Sequence, residues 1–311
     1  MNIKPLFYFY PTKIYLVDDN LRFLENLQLS LPGFNTQIET KLDQALTHIK
    51  ANQAEQIKLF HQLIKPDEAL QLDNDLDEYG SHVSYSLDKI KQIMNKKTRF
   101  DDISVIVIDY AMPGMNGVKF CEALNGLPIK KIMLTGEADH QLAIDAFNRK
   151  IIDGFVSKNS KTLYEELRQM IRDLQKEYFY CLQQRLIDGV EANLAGENII
   201  DEYNQLVEKL TLQYNIKEYY LTDSKGSCVM FDNGDNKHYL QIYSVGELDM
   251  YHDIALNSDE SKSLINDLAE RKKAPFFMDR DENYLHVSEW QAHLRDIIPF
   301  KEGKGFYYSV I

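Results

Sequence analysis

Apolar and polar positions follow two different periods along the first half of the chain. Lys13–Asp19 (KIYLVDD) is a short apolar run that predicts a buried strand ending on two aspartates. Leu21, Leu24, Leu27 and Leu31 then recur at helical spacing, and Pro32-Gly33 closes that helix. FNTQIET predicts a second strand and LDQALTHIK a second helix. From about Gln53 to Thr98 the chain turns polar. Two helical patterns occur there, QAEQIKLFHQLIK and SLDKIKQIMNKK, joined by the acidic stretch DEALQLDNDLDEYG. Regular alternation resumes with the strand VIVID, the helix GVKFCEALN, the strand KKIMLTG, the helix QLAIDAFNRK, the strand GFVSK and a helix from about Lys161.

Strands alternating with helices predict βαβ units and a parallel sheet covered on both faces. Right-handed crossovers make this an α/β, doubly wound, five-stranded layout. The reactive crevice of such a sheet lies beyond the carboxyl ends of its strands. The polar residues at those ends are Asp18, Asp19, Asp109, Thr135 and Lys158.

The helix after Lys158 is expected to run long, over 161–195, with Leu163, Leu167, Ile171, Leu174, Tyr178 and Leu182 on one stripe. That stripe serves either a homodimer contact through helix 161–195 or the domain's own core before the helix continues as a linker. After Gly196, KEYYLTDSKGSCVMFDNGDNKHYLQIYSV holds three β-rich runs with turns at Ser224-Lys225-Gly226 and Asn233-Gly234. A helix is expected at SDESKSLINDLAERK, capped by Ser258 or Asp259, then a hairpin at PFFMDRDENYLHV, a short helix at WQAHLRDII and a final strand at GFYYSVI. The expected division is a first domain over 1–160 with a helical insertion at about 53–98, a linker helix over 161–195, and a smaller α+β domain over 196–311 with a mostly antiparallel sheet.

Composition sharpens this picture at three points. With 311 residues, 44% of them hydrophobic, the chain suits two domains and a sizeable core. Its three cysteines, Cys121, Cys181 and Cys228, match no metal or disulfide spacing, so a cytoplasmic setting is expected. The opening MNIKPLFYFYP carries two prolines and a lysine and is too short to span a bilayer, so neither a signal peptide nor a membrane helix is expected. The formal net charge is −13, and residues 196–311 hold 21 acids against 12 bases. Nucleic-acid binding needs clustered cations to displace counterions from phosphates, so this balance disfavours DNA as the partner of the C-terminal part.

Each strand-end polar residue has a plain reading by itself, since aspartates cap turns and helices. Taken together they share one logic. Three carboxylates converging at one sheet edge repel each other unless a cation lies among them. Mg²⁺ fits, because it takes oxygen ligands and coordinates a phosphate as well. A lysine and a hydroxyl facing the same point complete a site for a transferring phosphoryl group, with an aspartate as nucleophile.

With the Asp18-Asp19 pair, Asp109 within IDYAMPGMNG, Thr135 within MLTG and Lys158 within GFVSK, the sequence resembles the receiver domain of two-component response regulators, the CheY-like family. The resemblance covers roughly residues 10–175 apart from the insertion. It implies that Asp109 accepts a phosphoryl group from a histidine kinase or phosphotransfer protein, with Mg²⁺ present. Asp19 would bind the ion directly, Asp18 through water, and the Ala111 main-chain carbonyl would add a ligand. Lys158 would pair with the phosphoryl oxygens and the Thr135 hydroxyl would hydrogen-bond to one. Thr135 and Phe155 would form the switch, simple packing being the other reading of Phe155.

Two features depart from the family pattern. The family's lysine is usually followed by proline through a cis bond, and here Asn159 follows; a cis bond to a non-proline residue costs about 3 kcal/mol. The spacing from Asp19 to Asp109 is also about twice the usual one, which defines the insertion. Other signals carry nothing. Glu-Ala-Leu at 68–70 and 122–124 lacks the long domain that a cyclic-dinucleotide hydrolase needs. Asp73–Asp77 imitates a calcium loop, but Glu78 stands where glycine is required. His238, His252, His286 and His293 have no helix-face ligand spacing.

The expected function is therefore a response regulator whose C-terminal domain acts by protein or small-ligand binding. Three alternatives stay open: a DNA-binding regulator, an enzyme acting on a nucleotide with Asp223, Asp232, His238 or Asp279 converging, and a scaffold that works without phosphorylation.

Overall fold

The computed structural model describes residues 7–65, 84–85, 87–136, 139–195, 200–223, 225–258, 260–277, 287–300 and 305–311. These form two compact units, residues 9–186 and residues 1–8 with 187–311. The division at 186–187 falls within the expected linker helix over 161–195, and residues 1–8 group with the C-terminal unit. The chain opens with β1 (Tyr8–Phe9), which adjoins the sheet of the C-terminal unit, where the Leu221 N–H donates to the Phe7 carbonyl at 2.8 Å.

The unit of residues 9–186 contains β2 (Lys13–Val17), α1 (Leu21–Leu29), β3 (Asn35–Glu39), α2 (Leu42–Leu63), β4 (Ile64–Lys65), β5 (Ser84–Tyr85), α3 (Leu87–Asn95), β6 (Ile103–Asp109), α4 (Gly117–Glu122), β7 (Lys130–Thr135), α5 (His140–Asn148), β8 (Gly154–Ser157) and the start of α6 (Leu163–Ala195). Its five-stranded sheet has the order β3-β2-β6-β7-β8, with every adjacent pair parallel. This is the doubly wound α/β sheet expected from the sequence.

Strand side chains alternate between two cores, as a period of two requires. Tyr15, Val17, Ile106, Ile108 and Met133 pack on one face with Ala45 and Ile49 of α2, Phe120 of α4 and Ala143 of α5. Ile14, Leu16, Val105, Val107 and Leu134 pack on the other with Leu24 and Leu27 of α1 and with Leu163, Leu167, Ile171 and Leu174 of α6. The α6 stripe is thus occupied within the chain over these four residues. At about 2 kcal/mol per buried aliphatic side chain, that packing anchors the first part of the helix in its own unit. Of the four leucines expected on the first stripe, Leu21 alone is exposed, at 49%.

The insertion differs from expectation in one respect. LDQALTHIK and QAEQIKLFHQLIK form the single helix α2 rather than two. Asn52 and Gln53, polar at the predicted break, are held inside it by the neighbouring strand. Asn52 Oδ1 accepts from the Ile103 N–H at 2.9 Å, and Gln53 Nε2 donates to the Ile103 carbonyl at 2.7 Å. SLDKIKQIMNKK forms α3, while the acidic stretch and Asp73–Asp77 lie outside the described residues.

The C-terminal unit contains the rest of α6, α7 (Ile200–Gln213), β9 (Ile216–Leu221), β10 (Cys228–Asp232), β11 (Lys237–Ser244), α8 (Val245–Asn257), α9 (Lys262–Ala269), β12 (Lys273–Pro275), α10 (Trp290–His293), β13 (Leu294–Asp296), β14 (Ile298–Pro299) and β15 (Phe306–Val310). A six-stranded sheet runs β1-β9-β10-β11-β15-β14, and the β9–β10, β10–β11, β11–β15 and β14–β15 pairs are antiparallel. The three β-rich runs are β9, β10 and β11. In the turn expected around Asn233-Gly234, the residue in the left-handed region is Asp235, at φ 62°. Asp232 Oδ1 closes that turn by accepting from the N–H groups of Gly234 and Asn236.

Three local expectations are corrected. The cap of α9 is Ser261, whose side chain accepts from the Leu264 N–H; Ser258 instead ends the preceding helix. WQAHLRDII forms only the four-residue α10, after which β13 pairs with β12. The helix α8 has no counterpart in the sequence reading. The expected hairpin at PFFMDRDENYLHV falls largely outside the described residues.

Candidate functional site: an acid cluster at the carboxyl edge of the parallel sheet

Asp18 directly follows β2 and Asp109 ends β6, and these central strands are hydrogen-bonded neighbours. One carboxylate oxygen from each of Asp18, Asp19 and Asp109 lies within 4.8 Å of the others, the one group with metal-holding geometry among the described residues. Asp18 is 1% exposed and Asp109 6%, whereas Asp19 faces solvent. Neither member of the pair caps the next helix. Asn20 does that, its side chain accepting from the Phe23 N–H, and Asp18 Oδ1 in turn accepts from the Asn20 N–H at 2.8 Å. The helix after Asp109 is capped by Asn116, not by the aspartate.

Lys158 follows β8 and reaches both buried acids. Its Nζ lies 2.8 Å from Asp18 Oδ2 and 2.8 Å from Asp109 Oδ1. Burial pushes the Asp109 carboxyl above the ordinary aspartate range; Lys158 opposes that shift and the neighbouring Asp18 reinforces it. For Lys158, burial favours loss of the proton, but the bonds to Asp109 and Asp18 outweigh it and the net shift is upward. The lysine thus supplies the positive charge that lets two desolvated carboxylates coexist.

Thr135 ends β7 and is fully buried, and its hydroxyl has no hydrogen-bond partner. The Lys158 N–H donates to the Thr135 carbonyl at 2.9 Å, so the two residues are braced together by the main chain. Ala111 lies exposed in the loop two residues after Asp109. Gly117 explains another feature of that loop. A Cβ there would stand 2.4 Å from the Asp109 main-chain oxygen, so only glycine lets the loop fold back, with its N–H donating to the Tyr110 carbonyl at 2.9 Å. Phe155, on β8, is half-buried, with its ring 5.3 Å from His140 and 6.2 Å from Phe147 in edge contacts. Every peptide bond among the described residues is trans, including Lys158–Asn159.

The structure therefore brings Asp18, Asp19, Asp109 and Lys158 together, with Thr135 tied to Lys158 through the backbone. The residues suggested for an output enzyme do not assemble in the same way. Asp223 caps its own turn, accepting from the N–H groups of Lys225 and Ser227. Asp232 meets His238 at 3.4 Å, and Asp279 lies outside the described residues. One residue at the acid site escaped the sequence reading: Lys158 Nζ sits over the Phe23 ring, 4.5 Å from its centroid.

Residues 66–172 match the family model of the response regulator receiver domain. The matched span begins after Asp18 and Asp19, which the insertion separates from the remainder. Among solved structures, the Legionella pneumophila response regulator LqsR is 28% identical, with a TM-score of 0.73 over 100% of this chain and 90% of its own. Two others align with TM-scores too low to add to the argument. The adenylate cyclase from Rhodopirellula baltica is 19% identical (TM-score 0.38, 57% of this chain, 96% of its own). The receiver domain protein from Methanospirillum hungatei JF-1 is 17% identical (TM-score 0.33, 54% and 96%). A search of curated proteins found no match.

The chain carries a receiver domain of the CheY-like family. That domain supports a two-component response regulator, and a separate mixed α/β unit lies at the C-terminal end of the chain. Among the described residues, no helix is long and apolar enough to cross a membrane.

Proposed function

We propose that Asp109 is the phosphoacceptor, and that its phosphorylation switches the C-terminal unit. The observation that carries this reading is the pairing of three convergent carboxylates with a lysine at 2.8 Å from two of them and a buried hydroxyl without a partner. An Asp109 oxygen would attack the phosphorus of a phosphohistidine on a kinase or phosphotransfer protein. The O–P bond forms as the N–P bond breaks, leaving an acyl phosphate on Asp109 and histidine on the donor.

The donor set also fits Mg²⁺. Its three carboxylates are hard oxygen ligands, one exposed and two buried, which leaves room for water and a phosphoryl oxygen. Asp19 and Asp18 would hold the ion with Asp109 and the Ala111 carbonyl; when bound, it neutralises charge on the transferring group. Lys158 would pass from Asp109 to a phosphoryl oxygen, and the Thr135 hydroxyl would donate to another. Thr135 and Phe155 would relay the change, which biases a two-state arrangement.

The output is read as protein or small-ligand binding, since residues 196–311 carry an excess of nine acids. Acetyl phosphate, or beryllofluoride with Mg²⁺, should change hydrogen-exchange protection in the full chain and not in Asp109→Asn. Equal responses in the two proteins would favour the phosphorylation-independent scaffold. Retention on DNA at physiological salt would favour a DNA-binding regulator.

A further inference from the structure

The Lys158 ammonium has three N–H donors, and two carboxylates at 2.8 Å account for two sides of it. The Phe23 ring covers another, with its centroid 4.5 Å from Nζ. A cation at that distance over a ring face is attracted by the ring quadrupole. Phe23 stands in the first turn of α1, and its N–H donates to the Asn20 cap at 3.2 Å. Leu24 and Leu27, on the same helix, are buried in the core. The ring is therefore carried by an anchored element and packs partly against that core itself.

We propose that Phe23 is a positioning residue that holds the Lys158 ammonium at the phosphoryl site through its ring face. This rests on the reading of Asp109 as phosphoacceptor. Phosphorylation converts the Asp109 oxygen that Lys158 now touches into part of an acyl phosphate and moves the negative charge outward onto the phosphoryl oxygens. The carboxylate contact that fixes the lysine changes at that moment, while Asp18 still attracts it from one side. The ring carries no net charge and is unaltered by the reaction, so it restrains the ammonium in both states. An aliphatic side chain of similar size fills the same space but offers no quadrupole.

The test uses the full-length protein. In the ligand-free wild type, the Lys158 methylene protons next to Nζ should show an upfield ring-current shift by NMR, retained in Phe23→Tyr and lost in Phe23→Leu. In excess Mg²⁺, calorimetric isotherms should show beryllofluoride binding about two- to fivefold more weakly to Phe23→Leu. Phe23→Tyr should bind as the wild type does. In a Lys158→Met background, Phe23→Leu should cause no further loss.

Unshifted methylene protons in the wild type would overturn the proposal without any variant. So would wild-type beryllofluoride affinity in Phe23→Leu, or a loss that persists when Lys158 is replaced. A wild type that shows the ring-current shift yet binds no beryllofluoride would instead sink the reading of Asp109 while supporting the ring contact.

Discussion

The Lys158 N–H donates to the Thr135 carbonyl at 2.9 Å, which sets side by side the two residues proposed to receive phosphoryl oxygens. The Thr135 hydroxyl is buried without a partner, a condition that costs about 1–3 kcal/mol. Thr135→Val keeps the shape and removes the hydroxyl. Urea unfolding should show this variant more stable by about 1 kcal/mol, with beryllofluoride affinity reduced. A less stable variant would mean that the hydroxyl has a partner in solution.

Gly117→Ala should act through the backbone. The added Cβ would stand 2.4 Å from the Asp109 main-chain oxygen, and a peptide carbonyl cannot yield as a flexible side chain can. A loss of about 2 kcal/mol is expected in urea unfolding, within the range for overpacked sites. Phosphorylation by acetyl phosphate should also fall, because the strained atom belongs to the proposed acceptor residue.

Replacing Lys158 by alanine should raise the Asp109 pKa further. Burial and Asp18 already push it upward, and Lys158 provides the opposing hydrogen bond and charge. A carbon-detected NMR titration of the Asp109 carboxyl would follow this. A pKa that falls or stays fixed in the variant would show that the lysine is not its main counter-charge.

Asp102 should give the receiver unit a stability slope in acid. Burial drives its carboxyl up to about 6, against the lowering effects of the Tyr10 hydroxyl at 2.6 Å and of Lys96 at 3.6 Å. A native pKa above the unfolded one means that the folded state binds the proton more tightly. The stabilisation is present in full below pH about 4 and is lost as pH rises through about 6. A shift of roughly two units corresponds to about 3 kcal/mol. Unfolding free energies measured between pH 4 and 6 should decline less steeply in Asp102→Asn. Identical slopes would assign the dependence to other groups.

Much of the receiver could be read from local pattern because its strands are uninterrupted apolar runs and its candidate site residues sit at their ends. VIVID is apolar up to Asp109 because a central parallel strand is covered on both faces, and polarity returns where the strand ends. The joined helix α2 was not legible in the same way. Asn52 and Gln53 interrupt the apolar period, and the strand backbone that satisfies them lies about fifty residues away in sequence. The helix α8 did carry a signal: Ser244-Val-Gly-Glu247 has the spacing of a capping box, and Ser244 does accept from the Glu247 N–H. The contact between Phe23 and Lys158 spans two distant elements and leaves no mark in periodicity.

The strand β1 imposes an order on biosynthesis. Its residues are made about 200 residues before their sheet neighbour β9, at Ile216–Leu221. At typical elongation rates of about 5–20 residues per second, that interval is roughly 10–40 s. The sheet of the C-terminal unit therefore stays incomplete until the whole receiver has been translated. Phe7 and Tyr8, buried in the folded protein, wait over that interval for the strand beside them.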